Sequence, residues 1–201
     1  MEITMKRLLN VGGNNKDILL PEIYANYEHL LLDIDPRGNP DILCDARNLV
    51  DLSNEKENFD AIYCSHNLEH FYRHDVKKVL TGFMHILKES GFAHIRVPDI
   101  NALMRITVEK NLDIEDILYT SPIGPIMVLD VLYGYAAEIE RSGNDFFAHK
   151  TGFTEQSLIN ALGSAGFSYV YTTCENLEIS AIALKKEPND YLKDLLQLHH
   201  I

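Results

Sequence analysis

An α/β fold built on a mostly parallel, seven-stranded sheet is what this sequence predicts, and three observations predict it. Short, nearly continuous apolar runs alternate with helical or turn-rich segments, the pattern of strands buried on both faces. Glycines, carboxylates and a histidine stand where those runs end. The last two strand-like runs follow one another directly, so an antiparallel hairpin should close the sheet.

The first run, residues 6–11 (KRLLNV), enters Gly12-Gly13-Asn14-Asn15, a cluster tolerant of positive φ, and reads as a strand running into a tight turn. Residues 29–34 form a second run with Asp33 near its end and Asp35 beyond it; 41–44 form a third that ends at Asp45. FDAIYC at 59–64 is the fourth, followed by Ser65-His66. Val76, Val79, Leu80, Phe83 and Leu87 fall at helical spacing, predicting a helix over 74–88 that Gly91 ends near its C′ position. Residues 92–97 are the fifth strand, closed by Pro98.

Between residues 99 and 150 the pattern changes to helical segments around 103–108 and 127–139, with Ser121-Pro122-Ile123-Gly124-Pro125 as a turn between them. This reads as a helical insertion after the fifth strand. Thr154 is the expected N-cap of a helix over 155–165 and Gly166 its stop. Strands over 168–173 and 178–185 follow, and the tail 190–201 reads as a short surface helix. With 201 residues and ordinary globular composition, 46% hydrophobic and 24% charged, residues 1–201 are expected to form one domain.

A formal charge of −12 and a pI near 5.1 oppose phosphate backbones, and no Lys/Arg run locally reverses that field, so a nucleic acid partner is unlikely. The opening residues lack a signal-peptide core and the longest apolar runs are far short of a bilayer span, so no membrane association and a cytoplasmic location are expected. Cys44, Cys64 and Cys174 have no ligand spacing and read as buried free thiols.

In an open parallel sheet, ligands lie beyond the carboxyl ends of strands where the strand order reverses. Gly12-Gly13, Asp33, Asp45 and Ser65-His66 would all sit there. A carboxylate roughly 20 residues after a glycine turn is placed to accept from ribose hydroxyls. The loop Gly12-Gly13-Asn14-Asn15-Lys16-Asp17 lacks the GxGxxG spacing that feeds pyrophosphate to a helix, so a ligand with adenosine and no phosphates fits better, and S-adenosylmethionine is one.

These segments resemble the class I S-adenosylmethionine-dependent methyltransferases, particularly their small single-domain branch, over almost the whole chain. LLNVGG at 8–13 is similar to that family's first motif, LLLDIDP at 30–36 to its second-strand motif, and Asp45-Ala46 to its adenine-side acidic loop. FDAIYCSHNLEHF at 59–71 is the most specific match, ending in a Leu-Glu-His signature. ILKESGFAHIRVPD at 86–99 and GFTEQSLINALGSAGF at 152–167 resemble later elements. The resemblance implies a Rossmann-like, doubly wound sheet, S-adenosylmethionine as cofactor, and Asn10, Gly12, Gly13, Asp33, Ile34, Asp45, Ala46, Ser65 and His66 as its binding residues, with Asp33 on the ribose. The chain departs from the family where its acidic first-motif residue is Asn10 and its later glycines are Asn14 and Lys16.

Methyl transfer from a sulfonium is an in-line displacement, so a base is needed only for a weakly acidic acceptor. His66, His70 and His149 are the expected acid–base candidates, with Glu69 able to orient one of them. The insertion should cover the acceptor, its Tyr119, Tyr133, Tyr135, Phe146 and Phe147 suiting a ring-bearing or apolar small molecule or peptide. The expected reaction is O-methylation, including carboxylate methylation, of the kind that tailors natural products. The alternative is a module that binds the cofactor without turnover. His66, His70 and His74, four apart, would line one face of a continuous helix beside Glu69, but the resemblance to the methyltransferase turn makes that spacing incidental, and no metal ligand set is expected.

Overall fold

The computed structural model describes residues 5–122 and 124–198. Its central sheet has seven strands: β1 (Lys6–Val11), β2 (Tyr27–Asp33), β3 (Ile42–Leu43), β4 (Phe59–Ser65), β5 (Leu87–Pro98), and a hairpin of Tyr169–Glu175 with Glu178–Leu184. Between β5 and that hairpin lies a second, two-stranded sheet, β6 (Ile117–Ser121) with β7 (Gly124–Met127), so the hairpin strands are β8 and β9. Across the main sheet the order is β3-β2-β1-β4-β5-β9-β8, with β9 antiparallel to both neighbours and the strands from β3 to β5 parallel. The doubly wound, mostly parallel architecture with a closing hairpin is therefore present. Strand order reverses between β1 and β4.

Both faces of β1 are buried, as its apolar run requires. Leu9 and Val11 face the larger core with α1 (Arg73–Ile86), whose Val76, Val79, Leu80 and Phe83 are all buried. Leu8 faces a smaller cluster with Tyr24, Tyr63 and Phe92, on which Leu192 and Leu196 pack from α6 (Asp190–Leu195) and just beyond it. The second face is thus closed by a short 3₁₀ turn, Glu22–Tyr24, and α6. The remainder of the expected tail helix, 199–201, lies outside the described residues, as do the opening residues 1–4. No helix of the described residues is long and apolar enough to cross a membrane.

Three expected boundaries move. Gly91 does not cap a helix: α1 ends at Ile86, and β5 starts at Leu87, opposite Phe59, with a register shift before Ala61 pairs with Phe92. The stretch after β5 is helical in part, through α2 (Ile100–Glu109), α3 (Val128–Tyr133) and α4 (Ala136–Ser142), but its turn residues close the β6–β7 hairpin; Ile123 in that turn lies outside the described residues. The helix expected over 127–139 breaks at Gly134, φ +96°, where a Cβ would collide with the Phe147 carbonyl. Buried Asp130 clamps the break by accepting from the Met127 and Ala136 amides at 2.9 and 3.0 Å. Thr154 does cap α5 (Glu155–Ala165), accepting from the Ser157 amide, and Gly166 ends it with φ +111°. The cysteines are unbridged, but only Cys64 is buried; Cys44 is half-buried and Cys174 is exposed, because residues 173–175 lie at the open end of edge strand β8.

Candidate active site

A cavity of about 340 Å³ opens at the carboxyl ends of β1, β2 and β4, at the point where the strand order reverses. The loop leaving β1 is its floor. Gly12, at φ +70°, donates its amide to the Leu32 carbonyl at 2.8 Å, and a Cβ there would collide with the Asn67 side chain. Asn14 is left-handed, φ +63°, as the short polar side chain of Asn allows. Its amide then reaches Asp33 Oδ2 at 3.1 Å.

Asp33 is buried and held from both sides, Oδ1 accepting from the Asp35 amide at 2.9 Å. Each carboxylate oxygen can accept a second hydrogen bond. Asp33 lines the cavity, so two hydroxyls on neighbouring carbons find two oriented acceptors there. Asp35 and Asp45, by contrast, are tied to arginines. Asp35 receives the Arg37 guanidinium through two nitrogens, and Asp45 receives that of Arg47, whose Nη1 also lies 3.5 Å from Asp75. Hydrogen bonding from Arg37 holds the Asp35 carboxyl below its ordinary range. At Asp45 burial works against the charge, but hydrogen bonds from the Arg47 side chain and amide outweigh it.

Five aspartates, Asp33, Asp35, Asp45, Asp75 and Asp145, line this cavity beside Arg47 and Lys150. Asp35, Asp45, Asp75 and Asp145 are each paired with a cation, whereas Asp33 has no ion pair among the described residues and presents its carboxylate to a diol-bearing ligand such as S-adenosylmethionine. Ile34 and Ala46 add apolar flanks.

The turn after β4 supplies the opposite wall. His66 sits at φ +49°, with Nε2 2.8 Å from Glu178 Oε2 and Nδ1 3.4 Å from Glu69 Oε1. Burial disfavours its charged form, but the Glu178 and Glu69 carboxylates prevail and raise its pKa to about 9. These carboxylates favour the imidazolium form of His66 over the free base.

Glu69 and His70 lie in the 3₁₀ turn Leu68–His70, and the end of the insertion is fastened to that turn. The Lys150 and Thr151 amides both donate to the Glu69 carbonyl, at 2.8 and 3.1 Å, and the His149 amide to the Tyr133 carbonyl at 3.0 Å. His149 and His70 therefore meet edge to face, ring centroids 4.9 Å apart. Nδ1 of His70 is 3.1 Å from the Ala148 carbonyl and Nδ1 of His149 is 2.9 Å from that of Val131. A carbonyl only accepts, so each Nδ1 carries a proton. Burial pushes the His149 imidazole below its ordinary pKa against the pull of the Glu69 charge. The Glu69 carboxylate is 1% exposed, and both of its oxygens are buried without a hydrogen-bond partner. Burial opposes its ionisation, yet the His66 charge, with His70 and His149 nearby, keeps it ionised.

Of the residues singled out in the sequence, Gly12, Asp33, Ile34, Asp45, Ala46, His66 and His70 line the cavity. Asn10, Gly13 and Ser65 do not. Asn10 is buried beneath the loop, its amide nitrogen 3.3 Å from His29 Nε2, and it fills the space a Gly13 side chain would need. Ser65 ends β4 paired with Arg96. His149 stands behind His70, against Glu69. Phe146 and Phe147 of the insertion reach the cavity and Tyr135 a neighbouring groove, whereas Tyr119 and Tyr133 are largely exposed. Asn14, Asn67, Phe71 and Tyr72 also line the cavity without having been singled out as binding residues. Asn67 and Phe71 stand within the most specific matching segment, which was the available signal.

Residues 30–95, which span β2 to β5, match the methyltransferase domain family. A methyltransferase domain of the citrinin polyketide synthase is similar at a TM-score of 0.58 and 12% identity, over 92% of this chain and 47% of that one, so this chain spans about half its length. The S-adenosylmethionine-dependent methyltransferase of Archaeoglobus fulgidus is similar at 0.55 and 14%, over 90% and 86% of the two chains. The 1,6-didemethyltoxoflavin-N1-methyltransferase of Burkholderia thailandensis, solved with S-adenosylhomocysteine, is similar at 0.52 and 14%, over 91% and 72%. The fold is that of a class I S-adenosylmethionine-dependent methyltransferase. No curated protein matches the chain in sequence. The family match and these neighbours support a methyltransferase that uses S-adenosylmethionine, with the cavity at the site where that fold places its ligand.

Proposed function

We propose that this chain is one methyltransferase domain that moves the methyl group of S-adenosylmethionine to an oxygen of a small molecule or peptide, with the 99–150 insertion covering the acceptor. The observation that carries the reading is Asp33, a buried carboxylate that lines the cavity and whose two oxygens are each fixed by one backbone amide. In this reading Asp33 accepts from the ribose hydroxyls, Ile34 and Ala46 flank the adenine, and the Gly12 turn lies under the amino acid part. Phe146, Phe147 and Tyr72 exclude water and present ring faces to the acceptor.

Oxygen is favoured over nitrogen by the wall opposite Asp33. His70 lines the cavity and keeps its Nδ1 proton on the Ala148 carbonyl, which leaves its Nε2 lone pair to accept from an acceptor hydroxyl, while the buried Glu69 carboxylate and His149 behind it add to the potential where that proton departs. Positioning supplies the larger part of the acceleration in such a displacement. A cytoplasmic location and small tailoring substrates are part of this reading, which the acidic composition is consistent with.

Calorimetric titration with S-adenosylhomocysteine tests the reading, with Asp33→Ala in parallel. Micromolar binding by the wild type and loss of at least about tenfold in the variant, the worth of one or two hydrogen bonds to a charged acceptor, are expected. Labelled methyl donor then screens phenols, alcohols and carboxylates. Absence of wild-type binding near millimolar ligand overturns it.

A further inference from the structure

The cluster behind the cavity wall has chemistry that methyl transfer alone does not use. We propose that Glu69, His70 and His149 form a binding site for one divalent transition-metal ion on the acceptor side of the cavity.

One donor atom from each of the three residues falls within 4.8 Å of the others. Metal–ligand bonds of about 2.0–2.2 Å put neighbouring ligand atoms roughly 3–3.5 Å apart, so closure by about an ångström completes a coordination shell. The carboxylate itself points the same way. Glu69 is 1% exposed, and neither oxygen has a hydrogen-bond partner, in a protein where every other buried carboxylate has at least one among the described residues. A buried charge in that condition is stabilised by a cation. His66 supplies part of that charge from 3.4 Å, and a metal ion would supply the rest from the side of His149, whose Nε2 is 4.0 Å from Glu69 Oε1.

The histidines are oriented as metal ligands are. A metal-bound imidazole donates its other ring N–H to a carbonyl or carboxylate, which fixes the tautomer and aims the lone pair. His70 and His149 both have that partner in place, Ala148 O at 3.1 Å and Val131 O at 2.9 Å. The scaffold is also fixed, since two amides following His149 are bound to the Glu69 carbonyl. Two imidazoles and one carboxylate suit Zn²⁺, Mn²⁺ or Fe²⁺ better than Mg²⁺ or Ca²⁺, which prefer oxygen. Three protein ligands leave a position open, and because His70 lines the cavity that position faces it; an acceptor hydroxyl bound there would have its pKa lowered and would release its proton to solvent, with the metal taking the lone pairs that His70 and His149 otherwise offer. This replaces the expectation of no metal set. It also differs from the His66, His70, His74 face suggested by spacing: the residues from Leu68 to His70 are a 3₁₀ turn that ends before α1, and His74 is exposed beside Asp75. The location relative to the acceptor rests on the methyltransferase reading; the metal site itself does not.

The test uses the whole chain, stripped with a chelator and titrated with Zn²⁺ by calorimetry and with Co²⁺ by visible absorption. The wild type should bind one ion per chain with micromolar or tighter affinity and show the ligand-field bands of a low-coordinate Co²⁺ centre. His70→Ala and His149→Ala should each bind at least about a hundredfold more weakly, beyond the usual cost of losing an outer-shell partner. His74→Ala should match the wild type. Glu69→Gln adds a third arm, and circular dichroism on each variant ensures that a folded protein is compared; if Glu69→Gln does not fold, the two histidine variants decide. Wild-type affinity weaker than about 100 μM, or unchanged affinity in both histidine variants, overturns the site; an affinity so weak gives less than half occupancy at ordinary metal levels. S-adenosylhomocysteine titrated into the stripped wild type separates the two readings, since cofactor binding without a metal site leaves the methyltransferase reading standing and removes only this one.

Discussion

The Asn14 amide donates to Asp33 Oδ2 at 3.1 Å because Asn14 is left-handed, with φ +63°. That places the orientation of the Asp33 carboxylate under the control of a backbone angle 19 residues away. Glycine adopts the angle freely, whereas a β-branched residue resists it by about 1–2 kcal/mol. Asn14→Gly should therefore keep S-adenosylhomocysteine affinity within about threefold, and Asn14→Val should lower it about tenfold, the equivalent of roughly 1.4 kcal/mol. Calorimetry on the two variants decides; equal affinities would mean that the loop does not orient the site.

Two helical glycines should answer oppositely to the same change. Gly82 of α1 faces Leu49, and an added Cβ would lie 2.5 Å from the Leu49 Cβ, in a fully buried contact that cannot give way at a flexible end. Gly163 of α5 has open space at the same point. Alanine is better than glycine in a helix by about 0.5–1 kcal/mol, while overpacking costs about 1–3 kcal/mol. Gly163→Ala should raise stability by about that first amount, and Gly82→Ala should lower it by about 1 kcal/mol net. Urea melts measure both, and a stabilised Gly82→Ala would show that the α1 contact with the 46–51 turn is loose.

The strands were legible because burial on both faces leaves an unbroken apolar run, as at Leu8 and Leu9, and because the positions after them are set by topology, as at Gly12, Asp33 and Asp45. The break at Gly134 was not, since the 127–139 pattern is amphipathic throughout and only the approach of the Phe147 carbonyl, distant in sequence, requires a positive φ there. That His66 lies by the cavity was legible, but its raised pKa was not. Glu178, which favours the charged form, lies 112 residues away on β9, and no local spacing reports that contact. The pairing of His70 with His149 was hidden for the same reason, 79 positions separating two rings whose centroids are 4.9 Å apart.

Acid sensitivity should centre on His94. It lies on β5 between the Tyr24 hydroxyl at 3.1 Å and the Ser180 hydroxyl at 2.9 Å, and burial, with the Arg96 charge nearby, lowers its pKa from 6.5 to about 4. Above pH 6.5 neither the folded nor the unfolded chain protonates this ring, and its contribution is constant. As pH falls from 6.5 toward 4, the unfolded chain binds a proton that the folded chain refuses, so stability decreases through that window. Undamped, the shift would amount to about 3 kcal/mol, and partial access of solvent reduces it to about 1–2 kcal/mol. His94→Gln keeps groups that can bond Tyr24 and Ser180 but cannot titrate. The variant's urea stability should fall less than the wild type's between pH 7 and pH 4.5, by about 1–2 kcal/mol, while the carboxylates that both proteins share cancel in the difference. Parallel pH profiles for the two proteins would show that His94 is protonated as readily in the folded chain as in the unfolded one.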